Sequence, residues 1–401
     1  MIRTRISVAV LSALIGVFAS GWVGAAAQDF SGAMPPASIS TFSTANVARI
    51  GHFYVGGHYE GEPGQQIVFG QMYVDVLVPA KIRHPYPVIM FGGGAGQTAV
   101  TMLETPDGRP GWAYDFVNQG YVVYVPDLPG RGRSVFVPTA ETGGRFAPPR
   151  SAPLMEEVWS GGHPPSTPQS SWPQYTKHTE WPGSGPNKGK MGDPIFDQFA
   201  STEIATVLGG NVEGYVRDAL IALVDRIGHP VILLIHSGVA TSGWETADAR
   251  PKMIKGIVAV EPVAPPIEEA ERGRTGPGRI WGLTDLPVHY DPPIQNASEL
   301  QTMREAKADG PGLIPCWIQK APVHKLINLE GIPVLDASAE ASYHRPYAHC
   351  DAKWLNQAGV KTDYVRLEGV GLSGNGHIMM AEKNSAEIAK YLMNWIEKNV
   401  H

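Results

Sequence analysis

Hydrophobic and polar positions along this chain alternate between two periods. Short apolar runs of four to eight residues are separated by longer stretches with helical spacing, and that alternation is the signature of parallel strands covered by helices. Strands are expected at Gln71–Pro79, Pro87–Gly92, Tyr121–Pro126, Val231–Ile235, Lys255–Val260, Ile332–Leu335 and Asp363–Leu367. Helices are expected at Trp112–Gln119, Glu213–Ile227 and about Ala386–Lys398, with Gly120 and Gly228 as stops for the first two. The buried strands are rich in Val and Ile and apolar on both faces, as a covered parallel sheet requires. The fold class is therefore α/β, with a mostly parallel central sheet flanked by helices.

Two stretches interrupt the alternation. Residues 136–200 are rich in Pro, Ser, Gly and Trp, and residues 262–321 carry PVAPP, RTGPGR and DLPVHYDPP. Segments of that length without regular structure serve a site more often than not. They are expected to form a cap over the C-terminal edge of the sheet, where open α/β folds bind ligands. The aromatic Trp159–Trp181 stretch would alternatively suit a surface that adheres to a polymer.

Residues 1–27 have the layout of an export signal: Arg3 and Arg5, the apolar Ile6–Ala19, then Ala25-Ala26-Ala27 as a cleavage site. The apolar part is shorter than the ~20 residues of a membrane span. No later segment is long and apolar enough to cross, so no membrane association is expected after cleavage. Residues 28–401 are expected to form one domain with cap insertions. Its 30 basic and 38 acidic residues, after loss of Arg3 and Arg5, give a balance of −8 and argue against nucleic acid as a partner. Cys316 and Cys350 are the only cysteines. In an exported protein they either pair or stay buried separately, and spacing alone leaves both open. A monomer and a homodimer are equally compatible with the sequence.

The chemistry concentrates at Pro230–Ser242, PVILLIHSGVATS. A strand runs into His236-Ser237-Gly238 and a helix-compatible segment follows, the layout of a nucleophile elbow. A serine hydroxyl is a weak nucleophile unless a base and oxyanion donors converge on it. The pattern usually written G-x-S-x-G reads here Ile235-His236-Ser237-Gly238-Val239, without either flanking glycine. His377, in GLSGNGHIMM between the last strand and the last helix, is the candidate base. His236 is expected to point away from Ser237 and to be structural. The acid is one of three: Glu261 after KGIVAV, Asp336 in IPVLDASAE, or Glu340. Gly92-Gly93-Gly94 follows a strand in the position of an oxyanion loop, with Phe91 where lipases and esterases carry a histidine. Oxyanion and substrate donors are expected at Gly93, Gly94 and Gly238. His344, His349 and Cys350 match no metal-binding spacing, GGGAGQ is no dinucleotide fingerprint, and neither metal nor cofactor is expected.

With these residues in place, the chain resembles the α/β-hydrolase superfamily. More narrowly, it resembles exported bacterial esterases whose elbow commonly reads H-S-Q-S-G. The similarity rests on ETPDGRPGW at Glu104–Trp112, DLPGRGRS at Asp127–Ser134, WPG and GDPIFDQF within Trp181–Phe199, ADARP at Ala247–Pro251, AVEP at Ala259–Pro262, LTDLPVHYDPP at Leu283–Pro293 and GNGHIMMAEKNS at Gly374–Ser385. It implies that the acid is a glutamate one strand earlier than usual, Glu261, with Ser237 as nucleophile, His377 as base, and N–H donors at Gly93 and Gly238. The elbow departs from the family, with Gly-Val-Ala in place of Gln-Ser-Gly. The implied activity is hydrolysis of small-molecule carboxylic esters through an acyl-enzyme, by a periplasmic or secreted protein. A lactonase or amidase using the same triad, or a ligand-binding protein on the same scaffold, are the competing functions.

Overall fold

The computed structural model describes residues 34–401 apart from 93, 95, 140–142, 167–171, 264, 272, 273 and 275. The expected signal at 1–27 and the oxyanion candidate Gly93 lie outside the described residues. The described residues before Ser40, 34–39, belong to a unit of their own and hold a turn in which the Ile39 N–H donates to the Pro36 carbonyl at 2.8 Å. Everything from Ser40 to His401 forms the second unit.

That second unit is built on an eight-stranded sheet. Its strands are β1 Val47–Glu60, β2 Ile67–Pro79, β3 Val88–Phe91, β4 Val123–Asp127, β5 Val231–His236, β6 Ile254–Val260, β7 Val334–Ser338 and β8 Thr362–Arg366. The spatial order is β1-β2-β4-β3-β5-β6-β7-β8. β2 pairs antiparallel with β1 and β4, and every pairing from β4 to β8 is parallel. The order doubles back between β4 and β3, so the chain crosses over before β5. Five of its helices are α1 Trp112–Asn118, α2 Val212–Ile227, α3 Ala240–Ala249, α4 His349–Gln357 and α5 Ser385–Asn399.

The period-two geometry of a strand sends alternate side chains to opposite faces. On β5, Val231, Leu233 and Ile235 pack on one face with Val216, Leu220 and Leu223 of α2 and Trp244 of α3. Ile232 and Leu234 pack on the other with Trp112 and Phe116 of α1 and Ile388 and Leu392 of α5. Both faces are thus covered, and β5 is buried along its whole length. A strand held this firmly can carry a strained residue at its end.

Two expected boundaries move. β7 begins after Pro333, which has no N–H to donate, and extends to Ser338 rather than ending at Leu335. Asp336 is therefore at the middle of the strand and not at its end. β1 was not expected at all: its sequence, VARIGHFYVGGHYE, lacks the apolar alternation of a half-buried strand, and it lies at the sheet edge with nine of its fourteen residues exposed.

The two interruptions are not structureless. Residues 136–200 contain a helical turn at Ala152–Met155, a wider turn at Glu156–Ser160, and a helix at Pro194–Ala200 capped by the Asp193 side chain on the Ile195 N–H. Trp159, Trp172 and Trp181 are buried in the apolar layer shared with α1 and α5, so these three rings are not an exposed platform. In residues 262–321, Thr302–Arg304 pairs antiparallel with Trp317–Gln319. Cys316 in this stretch is joined by a disulfide to Cys350 in α4, with their Cα atoms 5.3 Å apart. No described helix is long and apolar enough to cross a membrane.

Candidate active site

Ser237 follows β5 directly, with φ of +57°. A non-glycine residue in this left-handed region costs about 1–2 kcal/mol. The neighbouring strands hold the strain in place: β5 is hydrogen-bonded on both sides, and the Val263 N–H donates to the Ser237 carbonyl at 3.2 Å. The reversal leads through Ser237–Val239 into α3. Val239 is accommodated in the apolar layer, 4% exposed, so the bulky neighbour does not block the turn.

Glu261 follows β6 in the same way, with φ of +47° and no exposure. Its Oε1 accepts the Ala339 N–H at 2.8 Å, and its Oε2 accepts the Ser342 hydroxyl at 2.5 Å. His377 lies in the loop between β8 and α5. Its Nδ1 is 2.6 Å from Glu261 Oε2, and its Nε2 is 2.9 Å from Ser237 Oγ. One line of short contacts therefore joins hydroxyl, imidazole and carboxylate across 140 residues of sequence.

The histidine loop is clamped by groups that no local pattern reveals. Glu382 accepts the Gly376 N–H (2.9 Å), the Asn375 side-chain N–H (2.7 Å) and the His178 Nε2 (2.7 Å). His178 comes from the first interruption, and the Thr179 N–H donates to the Gly374 carbonyl at 2.9 Å. Gly374 has φ of +80°, and a Cβ there would lie 2.1 Å from Thr179 Oγ1, so only glycine allows this approach.

Three buried rings stack beside one another. His377 is 4.3 Å from His344 and 4.6 Å from His236, centroid to centroid. His236 Nε2 donates to the His377 carbonyl at 3.0 Å, and His344 Nδ1 to the Pro262 carbonyl at 3.1 Å. Burial keeps all three neutral, pushing His377 down to about 3, His344 to about 4, and His236 well below its ordinary range. Burial also raises Glu261 to about 7, against the pull of His344, the Ser342 hydroxyl and the Ala339 N–H. With Glu261 ionised, the His377 Nδ1–H donates to it, and the Nε2 lone pair faces the serine proton. His236 touches the loop carbonyl and not Ser237, as alternation along the strand requires.

The remaining acid candidates lie elsewhere. Asp336 is fully buried in β7, and neither of its oxygens has a hydrogen-bond partner of ordinary geometry. Glu340 pairs with Lys177 at 3.2 Å and accepts the Gly374 N–H at 3.0 Å, which makes it part of the loop's support. On the oxyanion side, Gly94 faces the elbow: a Cβ built there would lie 3.0 Å from the Gly238 N and 3.3 Å from Ser237 Oγ. Only hydrogen at Gly94 leaves that space open. Two described groupings bring potential metal donors together. One is Glu261, His344 and His377, the site itself; the other is Cys316, His349 and Cys350, whose sulfurs are joined to each other. Beside the elbow opens a cavity of about 290 Å³, lined among others by Gly238, Val239, Val263 and Arg131.

Against known proteins, this chain is similar to the probable secreted lipase phiG of Fungal sp. (strain ATCC 74256), with 41% identity over 348 residues, 86% of this chain and 89% of the lipase. The chain belongs to this lipase's family of carboxylic ester hydrolases. No protein-family model matches it. Among solved structures, a bacterial esterase superposes with a TM-score of 0.59 at 20% identity, over 92% of this chain and all of the esterase. A thermostable esterase from Pseudomonas putida superposes with a TM-score of 0.43 at 13% identity, over 91% of this chain and 86% of its own. The sheet order and the bacterial neighbour together identify the fold as that of the α/β-hydrolases.

Proposed function

We propose that this ester hydrolase is an exported serine enzyme working through an acyl-enzyme intermediate. The observation that carries the reading is the continuous contact from Ser237 Oγ through His377 to Glu261. In the first half-reaction, Ser237 Oγ bonds to the ester carbonyl carbon while His377 Nε2 takes the hydroxyl proton. The oxyanion forms beside the Gly238 N–H, in the space that Gly94 leaves open. Collapse of the tetrahedral species breaks the bond to the alcohol, which leaves with the proton from Nε2. In the second half-reaction, water gives a proton to Nε2, attacks the acyl carbon, and releases the acid as Ser237 recovers its proton. Glu261 fixes the Nδ1–H tautomer and stabilises the imidazolium.

The cavity of about 290 Å³ lies at the small end of ligand pockets and favours short acyl groups over long lipid chains. Export is supported by the N-terminal pattern, the disulfide and the secreted character in the relative's name. We further read residues 136–200 and 262–321 as cap insertions in one domain of residues 28–401, because the first braces the histidine loop through His178 and the second lines the cavity with Val263, Arg279 and Asp285.

The test is Ser237→Ala. The variant should fold with an unchanged melting temperature, lose about 10⁵-fold or more in kcat on p-nitrophenyl acetate, and lose labelling by a fluorophosphonate at position 237. Undiminished turnover in the variant would discard the mechanism.

A further inference from the structure

Two buried histidines beside the triad take no part in the proton transfers described above. His344 and His236 each donate one ring N–H to a backbone carbonyl, that of Pro262 and that of His377. The other ring nitrogen, His344 Nε2 or His236 Nδ1, is buried and has no hydrogen-bond partner among the described residues. Glu271 Oε1 is 3.8 Å from His344 Nε2, beyond hydrogen-bond reach. A protonated imidazole has two N–H donors, and burying one without an acceptor is costly, so both rings are neutral. The backbone N–H of His344 donates to Ser342 Oγ at 3.0 Å, and Ser342 in turn donates to Glu261. With Pro262 following Glu261 directly, His344 is tied to the acid from two sides.

What these rings touch is the base. The His344 ring lies 4.3 Å from that of His377 and within 20° of parallel, so it presents its face. The His236 ring is 4.6 Å away at 35°, and the buried Tyr343 ring is 4.9 Å away at 53°. Tyr343 also packs on His344, at 4.5 Å. Acyl transfer needs a transient positive charge on His377, and that charge is opposed first by burial and then by Arg150. Glu261 offsets the cost at the Nδ1 edge of the ring, in its plane. The π electrons of an aromatic ring make its face negative, and a cation over such a face is held more strongly where water is excluded. The backbone carbonyls of Pro262 and His377 keep the two neutral imidazoles oriented for this task.

We propose that His344, together with Tyr343 and His236, forms an aromatic cage that stabilises the imidazolium of His377 during acyl transfer. This rests on the serine-hydrolase reading and deepens it. His344 is a positioning residue under this scheme: it acts through His377, by its π face and by its hold on the segment that carries Glu261.

The experiment compares His344→Phe with His344→Leu. Both lose the bond to the Pro262 carbonyl, and only phenylalanine keeps an aromatic face, so their difference isolates that face. On p-nitrophenyl acetate at pH 8, kcat/KM of His344→Leu should lie about tenfold or more below that of His344→Phe. The second readout is the pKa of His377 in the adduct that a fluorophosphonate forms with Ser237, followed by proton NMR of the ring N–H. It should fall by about one unit in His344→Leu, the same factor of ten, and by clearly less in His344→Phe. A merely structural role would slow both variants and leave the two pKa values alike. Tyr343→Phe and Tyr343→Leu repeat the comparison on a second ring, and they decide it where His344→Leu does not fold. Equal rates and equal pKa values within the folded pair overturn the cage. So does a His377 pKa that rises in His344→Leu, which would mean that His344 carries a charge of its own. If the wild type turns over no ester and Ser237 resists the fluorophosphonate, the hydrolase reading itself falls; labelled Ser237 with no difference between phenylalanine and leucine removes only the cage.

Discussion

Two carboxyl groups lie one strand apart at the heart of this sheet, and they have opposite fates. Glu261 is one residue past the end of β6; Asp336 is in β7, paired in register with Ala259 of β6. Both are fully buried, and burial raises both above the ordinary carboxylate range. Yet Glu261 has an N–H, a hydroxyl and an imidazole on its two oxygens, whereas Asp336 has no partner of ordinary geometry on either. Depth and charge do not separate them. The backbone does: the left-handed turn at Glu261 coincides with a side chain that reaches Ala339 and Ser342, beyond the end of β7, where His377 also arrives. Asp336 stays inside the ladder, where burial and then the Glu261 charge make its ionisation harder, and after burial it does the same to Asp351 of α4. Under the proposed mechanism, an acid becomes useful here by leaving its strand.

The widest break in this comparison should come from Glu261→Gln. The amide keeps the shape and removes the charge, and kcat/KM for p-nitrophenyl acetate should fall about 10³–10⁴-fold. The wild-type profile should lose activity as pH falls through about 7, because Glu261 must be ionised to accept the Nδ1–H and to stabilise the imidazolium. Glu261→Gln should abolish that limb. A pH–rate profile on both proteins checks this, and a limb near 7 that persists in the variant would reassign it to another group.

A smaller effect should come from Ser342→Ala. The Ser342 hydroxyl donates to Glu261 Oε2 and holds its carboxyl down. A hydrogen bond to a charged group is worth roughly 1.5–3 kcal/mol, about one to two pH units. The acid limb should therefore move upward by about that much. Activity at pH 7 should drop about tenfold or more and recover at pH 9, whereas a merely structural role for Ser342 would lower the rate equally at both.

How far this contrast was readable beforehand follows from its cause. The buried strands announce themselves as apolar runs, because each is covered on both faces, and β5 through β8 lie within two or three residues of expectation. β1 does not, since an exposed edge strand is under no demand for apolar alternation. α4, HCDAKWLNQ, opens with polar residues that are buried through tertiary contacts and so hides its helical face. Ser237 and His377 were legible from what surrounds them, a strand-turn-helix and a glycine-rich loop. The choice between Glu261 and Asp336 was not legible from the residues alone. Both follow apolar runs, and what separates them is one φ angle and two extra residues of β7, neither visible in side-chain pattern. Resemblance to known esterases had pointed to Glu261, and the contacts place that residue against His377. Groups such as His178 and Glu382 converge from segments 204 residues apart, where local spacing has nothing to say.

The smallest effect on activity should come from Asp336→Asn, and it sharpens the comparison from the other side. Turnover should stay within about twofold at every pH, because Asp336 touches neither His377 nor Ser237. Stability should change instead. The folded state holds Asp336 above its ordinary pKa, so this group favours folding below about pH 4 and works against it increasingly as pH rises. The cost of keeping this carboxyl protonated begins as pH rises through its unfolded pKa of ~3.9. Asparagine has nearly the same shape and carries no such cost. The variant should melt a few degrees higher than the wild type at pH 7 to 8, and the gap should close as pH approaches 4. Thermal melting across that range decides the matter: a variant less stable at pH 8, or a gap that widens toward acid, would mean that Asp336 is ionised and partnered in the folded protein. The two buried carboxyls would then differ only in which partner they serve.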